Sequence, residues 1–342
     1  MHVTRSLPVR FSFCVAVSSW LTVIGCRDTP PPAAPEPTKP EIARDAAGGD
    51  VIAAAAEAIL RNGCASPDAV APVPTWRSSA APPFDVAIYT AHPDDEAMYA
   101  GGTMARLAAA QRRVAFVSMS HGEGGRLLER AADGGVEERR DYPRSHVVLV
   151  RDREVADAAA RVGVTHAHLY PADANVDDAY TTSCSDALAH WQATLPGGLA
   201  DALARLVADV RTRRPRVVVT LDPRDDPQAS HHGHHKAVGV LAEAAARLAA
   251  DARAVARGQP HVVEEVLSMA PRDVTADVVV PVDATKRVSM LEAYGSQFTR
   301  EGLAVDPIAQ RSVESFVVRW RAREAPISPE RATLLALMSV SR

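Results

Sequence analysis

At 342 residues, 47% apolar and 23% charged, the chain has ordinary globular composition and length for one large domain or two smaller ones. Its formal charge is −4; without Arg5 and Arg10, the only charged residues before Cys26, the remainder carries −6. A chain of that sign lacks a basic field for a phosphate backbone, which argues against nucleic-acid binding.

Residues 1–26 read as a leader. Arg5 and Arg10 make a basic start, and the apolar run from Phe11 to Ile24 is shorter than a comfortable membrane span. Val23-Ile24-Gly25-Cys26 resembles a bacterial lipobox, whose cysteine is lipidated and becomes the mature N-terminus. The alternative is an ordinary secretory signal with an incidental cysteine. Arg27 after it resembles lipoproteins sorted to an outer membrane. Residues 27–50, Pro-rich between Thr29 and Pro40, then form an extended tether. On this reading the protein is exported and held to a membrane through Cys26, or secreted if it is not lipidated. Cys64 and Cys184 remain in an oxidising compartment, as a disulfide or as two separate buried thiols.

Residues 51–83 are a lead-in, helical over Val51–Arg61 and Pro-rich from Pro67. The apolar run Val86–Ala91 predicts a buried strand, and Ala97–Leu107 predicts a helix. Their joint is His92-Pro93-Asp94-Asp95-Glu96. The acids suit a helix N-terminus, where carboxylates meet free N–H groups, but capping alone does not explain His92. Val114–Met119 predicts a second strand, followed by Ser120-His121-Gly122-Glu123-Gly124-Gly125. Arg126–Ser145 reads as a charged loop, Val147–Val162 as a helix, and His166–Tyr170 as a third strand. An irregular segment to Asp186 leads to a helix over Ala187–Arg213, broken near Pro196-Gly197-Gly198. Arg216–Leu221 is the clearest strand. After it, His231-His232-Gly233-His234-His235 opens a helix expected to run to Arg257. His232 and His235 are three apart and face one direction, although four histidines in five residues also suit a solvated loop that picks up metal adventitiously. Strands at Val262–Ser268 and Ala276–Val282 and a helix near Ala284–Ala293 follow, and the tail from Leu303 is expected to pack on the sheet edge.

Strands alternating with long helices predict an α/β fold: a doubly wound, mainly parallel Rossmann-like sheet with helices on both faces. In such sheets ligands bind beyond the carboxyl ends of strands, where both histidine clusters fall. GxGxxG, GxSxG and Cys-x-x-Cys patterns are missing, which argues against dinucleotide, serine-hydrolase and structural-zinc chemistry. His92, Asp95 and His235 around one ion make a two-His, one-carboxylate site of the catalytic zinc kind, with room for water. Asp94 beside it is placed to move a proton, and His232 to donate to an oxyanion.

Ala91-His92-Pro93-Asp94-Asp95-Glu96 matches in full the first motif of the LmbE-like or PIG-L zinc deacetylases, and His232-Gly233-His234-His235-Lys236-Ala237 is similar to their second. Weaker echoes are Gly122–Gly125, Arg151–Glu154 and Tyr294-Gly295-Ser296-Gln297. The resemblance covers roughly residues 85–298 and implies a deacetylase domain over 84–300, with 301–342 an extension packed on it. It implies His92, Asp95 and His235 as ligands of Zn2+, with Fe2+ tolerated by the same triad. It further implies Asp94 as general base, His232 as oxyanion partner, and Arg151, Asp173 and Glu123 as sugar contacts. The substrate it implies is a small N-acetylated amino sugar or conjugate, of the phosphatidylinositol, mycothiol or bacillithiol kind. An amidase acting on a larger thiol or cell-wall conjugate, and a non-catalytic sugar- or metal-binding surface lipoprotein, are the rival readings. Two positions depart from the family pattern: His234 stands where an Asp often orients the neighbouring histidine, and Ser230 where thiol-sugar deacetylases carry a catalytic tyrosine. The oligomeric state is left open by the sequence.

Overall fold

The computed structural model describes residues 51–64, 84–131, 133, 135–174, 176–177, 181–224, 232–270, 274–322 and 333–338. The leader with Cys26, the tether, the Pro-rich approach at 65–83, Ser230 and His231 lie outside the described residues. Among the described residues, no helix is long and apolar enough to cross a membrane.

Chain order sets up a sheet that grows outward from its first strand. β1 (Val86–Thr90), β2 (Val114–Ser118), β5 (Thr165–His168), β6 (Val217–Thr220) and β7 (Glu265–Met269) are parallel, ordered β5-β2-β1-β6-β7. All five residues of β1 and of β2, and all four of β6, are buried, as strands covered on both faces require. The order reverses at β1, so the crevice beyond the carboxyl ends of β1 and β6 is the topological switch point, the usual place for a ligand.

Two helix groups enclose the sheet. α2 (Asp95–Ala109), α3 (Arg144–Val162) and α7 (Ala284–Leu291) pack with one another, and α2 also meets β1 and β2. α1 (Val51–Asn62), α4 (Cys184–Thr194), α5 (Gly198–Arg213) and α6 (Gly233–Leu248) form the second group, with α6 against β1, β6 and β7. Every residue of α6 is buried, so the second histidine cluster opens a helix with no solvent face. Cys64, just past α1, and Cys184 at the start of α4 form a disulfide with Cα atoms 6.0 Å apart, which settles the open choice between bridge and free thiols.

Three expectations are corrected. The segment after Arg126 is a hairpin of β3 (Leu127–Arg130) and β4 (Val136–Arg139), stitched by the Arg126–Glu138 ion pair at 2.8 Å. Its strands are mostly charged and half in solvent, so no apolar alternation announces them. α6 stops at Leu248 rather than Arg257, because the buried Arg211 guanidinium takes the carbonyls of Ala249, Asp251, Ala254 and Ala256, folding that stretch into turns. The tail does not lie on the sheet edge: β9 (Val313–Arg321) is inserted antiparallel between β7 and β8 (Val278–Pro281), which leaves β8 outermost. The insertion is fixed by Glu314, which accepts the Gly102 and Thr103 amides of α2 at 2.8 and 2.7 Å and pairs with the fully buried Arg287 at 2.7 Å. Residues 313–321 are thereby part of the same sheet as the residues before 300.

Candidate metal centre

The turn after β1 is tied down by its own acid. Asp95, first residue of α2, accepts the backbone N–H of Ala91 at 3.2 Å and of His92 at 2.9 Å through Oδ2. Its Oδ1 lies 3.0 Å from His235 Nε2. His92 Nδ1 is 3.3 Å from His235 Nε2 and 3.5 Å from Asp95 Oδ2. These separations match the roughly 3.3 Å edge of a tetrahedron whose donors stand ~2.0–2.1 Å from a cation. Two imidazole nitrogens and a carboxylate oxygen are also the donor chemistry a zinc-type ion takes, so these residues fit such a group.

Sequence-distant segments meet here because β1 and β6 are neighbours. Gly233 lets α6 begin close to the α4 N-terminus: a Cβ there would stand 2.2 Å from the Ser183 carbonyl oxygen. His232, just before α6, has its ring centroid 4.0 Å from that of His235 and 4.9 Å from that of His92. The three rings can present nitrogens within 4.8 Å of one another, so His232 also lies within reach of an ion held here.

The buried charges of the cluster act on one another. Burial pushes the Asp95 carboxyl up, but His235 and His92 together outweigh it and hold it well below the usual range. For His92 burial works downward, and Asp177 and Asp95 reverse it to leave the imidazole well above its ordinary value. His232 is driven down to about 2, by burial first and then by His235 and His92. Burial lifts Asp94 to about 6, with Arg151 opposing and Asp95 adding.

Asp94 adopts φ 103°, a left-handed backbone that a non-glycine residue holds only when its surroundings impose it. The surroundings are Arg151, which donates from Nη2 to the Pro93 carbonyl and to Asp94 Oδ2 at 3.3 Å, and Glu96, whose Oε2 accepts the Asp94 N–H at 3.1 Å. Glu96 in turn accepts the Tyr294 hydroxyl. Glu154 accepts both the N–H and the hydroxyl of Ser296, at 2.6 and 2.7 Å, so two of the three weaker sequence echoes hold each other, and the Ser296 carbonyl accepts the Leu128 N–H of the hairpin at 2.8 Å.

Of the expected sugar contacts, Arg151 is buried against Asp94, and Asp173 is exposed in the turn after β5. Glu123 is buried, with both carboxylate oxygens on backbone amides, those of His121 at 3.0 Å and Asp177 at 3.1 Å. Asp177 is the site residue that sequence reasoning missed. Its Oδ1 lies 3.3 Å from His92 Nε2 and 3.3 Å from His234 Nδ1. The readable signal was Val176, an apolar residue in a polar loop: it is buried, its carbonyl accepts Trp191 Nε1–H at 2.8 Å, and it turns its neighbour inward. His234, at the departure from the family pattern, stacks on Trp191 at 5.2 Å.

The family model described as PIG-L, GlcNAc-PI de-N-acetylase, matches residues 87–246. The chain is 35% identical over 164 residues to a 1D-myo-inositol 2-acetamido-2-deoxy-alpha-D-glucopyranoside deacetylase of Streptomyces avermitilis, covering 47% of this chain and 52% of that protein. With the protein of that name from Thermomonospora curvata, identity is 30% over 216 residues, covering 60% and 68%. The chain thus spans about half the length of the Streptomyces avermitilis relative. Among solved structures, a conserved protein of Thermus thermophilus superposes with a TM-score of 0.51 at 24% identity, covering 73% of this chain and 100% of that one. The N,N'-diacetylchitobiose deacetylase of Pyrococcus horikoshii gives 0.52 at 16% identity, covering 68% and 83%. At those identities the two structures speak for a shared fold.

Proposed function

Because this chain belongs to the PIG-L family of GlcNAc-PI de-N-acetylases, we propose that it is a divalent-metal-dependent hydrolase that removes acetyl from an N-acetylated amino sugar or its conjugate. The observation that carries this reading is the meeting of His92, Asp95 and His235, with a strained and half-buried Asp94 beside them. Zn2+ is the ion the donor set favours, and Fe2+ is tolerated by the same triad. Such an ion supplies Lewis acidity that activates water and polarises an amide carbonyl.

The chain's own residues supply the rest. Asp94, held by Arg151 and the Glu96 carboxylate, takes the proton of the attacking water as the water oxygen bonds to the acyl carbon. When the C–N bond breaks it returns that proton to the departing nitrogen, leaving acetate and a free amine. Burial and the neighbouring His235 and His92 disfavour protonation of His232, and a neutral imidazole keeps one ring N–H, which is what donation to a developing oxyanion requires. On this reading Asp173, exposed in the turn after β5, meets the sugar, while Arg151 acts through Asp94 and Glu123 through Asp177. The Cys64–Cys184 disulfide supports an exported protein; anchoring through a lipid on Cys26 rests on the leader sequence alone.

The test is amine release from a panel of N-acetylglucosamine conjugates, using chelator-stripped protein with and without added Zn2+ or Fe2+. Release that depends on the metal is expected for at least one conjugate. A metal-loaded protein inert toward the whole panel overturns the reading.

A further inference from the structure

A second convergence of imidazoles and carboxylate lies on the neighbouring strands. His121 follows β2, His168 ends β5, and Asp152 projects from α3. Asp152 Oδ1 is 2.6 Å from His121 Nδ1 and 3.2 Å from His168 Nε2, and the two rings stack with centroids 3.8 Å apart. Nothing in the deacetylase reading uses these three residues.

The outer nitrogens define the inner ones. His121 Nε2 sits 3.1 Å from the Tyr170 carbonyl oxygen and His168 Nδ1 sits 3.0 Å from the Ser120 carbonyl oxygen. A carbonyl only accepts, so both of these ring nitrogens carry hydrogen and donate. Each neutral ring then turns a lone pair on His121 Nδ1 and His168 Nε2 toward the same carboxylate oxygen. One proton on His121 Nδ1 satisfies the 2.6 Å contact and leaves the other: His168 Nε2 is buried and makes no hydrogen bond among the described residues. A cation among the three atoms engages all of them at once, drawing His121 Nδ1 and Asp152 Oδ1 apart from their hydrogen-bonded 2.6 Å. Backbone carbonyls behind both histidines are the usual outer shell of a metal-binding imidazole, fixing its tautomer and direction. The histidine side chains are 11% and 12% exposed and that of Asp152 is 40% exposed, so the rigid donors lie inside and the carboxylate side is open to water and to an arriving ion.

We propose that His121, Asp152 and His168 form a second divalent-metal site, separate from the His92 centre, that takes a first-row transition ion of the zinc type. Two imidazoles and one carboxylate select such an ion over Mg2+ or Ca2+, which prefer an all-oxygen shell. The site is joined to the first centre by one side chain: Glu123 accepts the His121 amide on one oxygen and the Asp177 amide on the other.

The experiment loads the chelator-stripped full chain with Zn2+ by equilibrium dialysis and counts metal per chain by mass spectrometry. A parallel Co2+ titration is followed in the visible. Two equivalents are expected for the unaltered protein. Asp152→Asn, a change at a half-exposed helix position, and His168→Gln should each lower the count to one and weaken one Co2+ step by about tenfold or more while sparing the other. Far-ultraviolet circular dichroism identifies any variant that has lost its fold, and the count on the unaltered chain needs no variant. A single equivalent in the unaltered protein overturns the proposal, as do two equivalents that Asp152→Asn leaves intact.

Discussion

Asp177 Oδ1 stands 3.3 Å from His92 Nε2, across the ring from the Nδ1 that faces Asp95 and His235. A carboxylate behind a ligating imidazole fixes its tautomer and raises its basicity, and removing such a partner costs roughly 10–100-fold in metal affinity. Asp177→Asn is therefore expected to weaken Zn2+ at the first centre by about that factor, measured by competition with a chromophoric chelator. Its backbone bond to Glu123 is unaffected by the change, so the unfolding midpoint of the metal-free protein should move little. Unchanged affinity would show that His92 is oriented by the loop alone.

Asp94 touches Arg151 through its carboxylate at 3.3 Å and Glu96 through its backbone N–H at 3.1 Å. Replacing it by Asn keeps shape and removes the proton acceptor, a loss on the order of 10²–10⁴ in kcat for general acid–base catalysis. Zinc content after dialysis should stay that of the unaltered protein. A sugar- or metal-binding protein without turnover would instead show the same ligand affinity in both forms, which makes the paired measurement of rate and occupancy decisive.

The first half of the centre was legible because it is local: His92 to Asp95 sit in one strand-to-helix turn, and the turn's chemistry can be read from consecutive residues. The second half was read from the spacing of His232 and His235 and from the second motif; that it meets the first follows from the pairing of β1 with β6, which the structure supplies. Asp177 and Glu123 were harder, since their partners are fixed by where one loop crosses another rather than by spacing. β9 was illegible for a related reason. A run such as Ser315–Trp320 announces a strand's worth of apolar surface, but whether it lies on an edge or between strands depends on Glu314 reaching the amides of Gly102 and Thr103, far away in the chain.

That carboxylate makes the C-terminal strand part of the fold's stability. Glu314 and Arg287 are buried and paired, and breaking a buried pair by removing one partner costs about 3–5 kcal/mol. Glu314→Gln should lower the free energy of urea unfolding by that order. Arg287→Met combined with Glu314→Gln should cost less than the two single changes added together, because no unpaired charge is then buried. Simple additivity would mean that the pair does not interact.

The disulfide closes the chain between the end of α1 and the start of α4, a sequence separation of 120. Cross-links of this kind contribute typically about 2–4 kcal/mol, chiefly by restricting the unfolded chain. Cys64→Ser with Cys184→Ser is expected to lower stability by about that amount and to make the melting temperature insensitive to dithiothreitol. The unaltered protein should melt lower in the reductant.

His261 offers a pH-dependence far in sequence from both histidine clusters. Its Nε2 lies 2.7 Å from the Pro215 carbonyl oxygen and its Nδ1 is buried without a hydrogen bond among the described residues, so the ring is held neutral. Burial lowers its pKa below the ordinary value, with the Pro215 carbonyl opposing. Between the folded pKa and the unfolded value of about 6.5 the unfolded chain binds a proton that the folded chain does not. The contribution to stability is therefore full above pH ~6.5 and is lost as pH falls below it. His261→Gln keeps a donor for Pro215 and cannot titrate, so its stability relative to the unaltered protein should improve on going from neutral to mildly acid pH. Urea unfolding of both proteins in chelator, at matched pH values above and below that point, measures the difference. A constant difference across the range would mean that His261 takes up its proton equally well in the folded state.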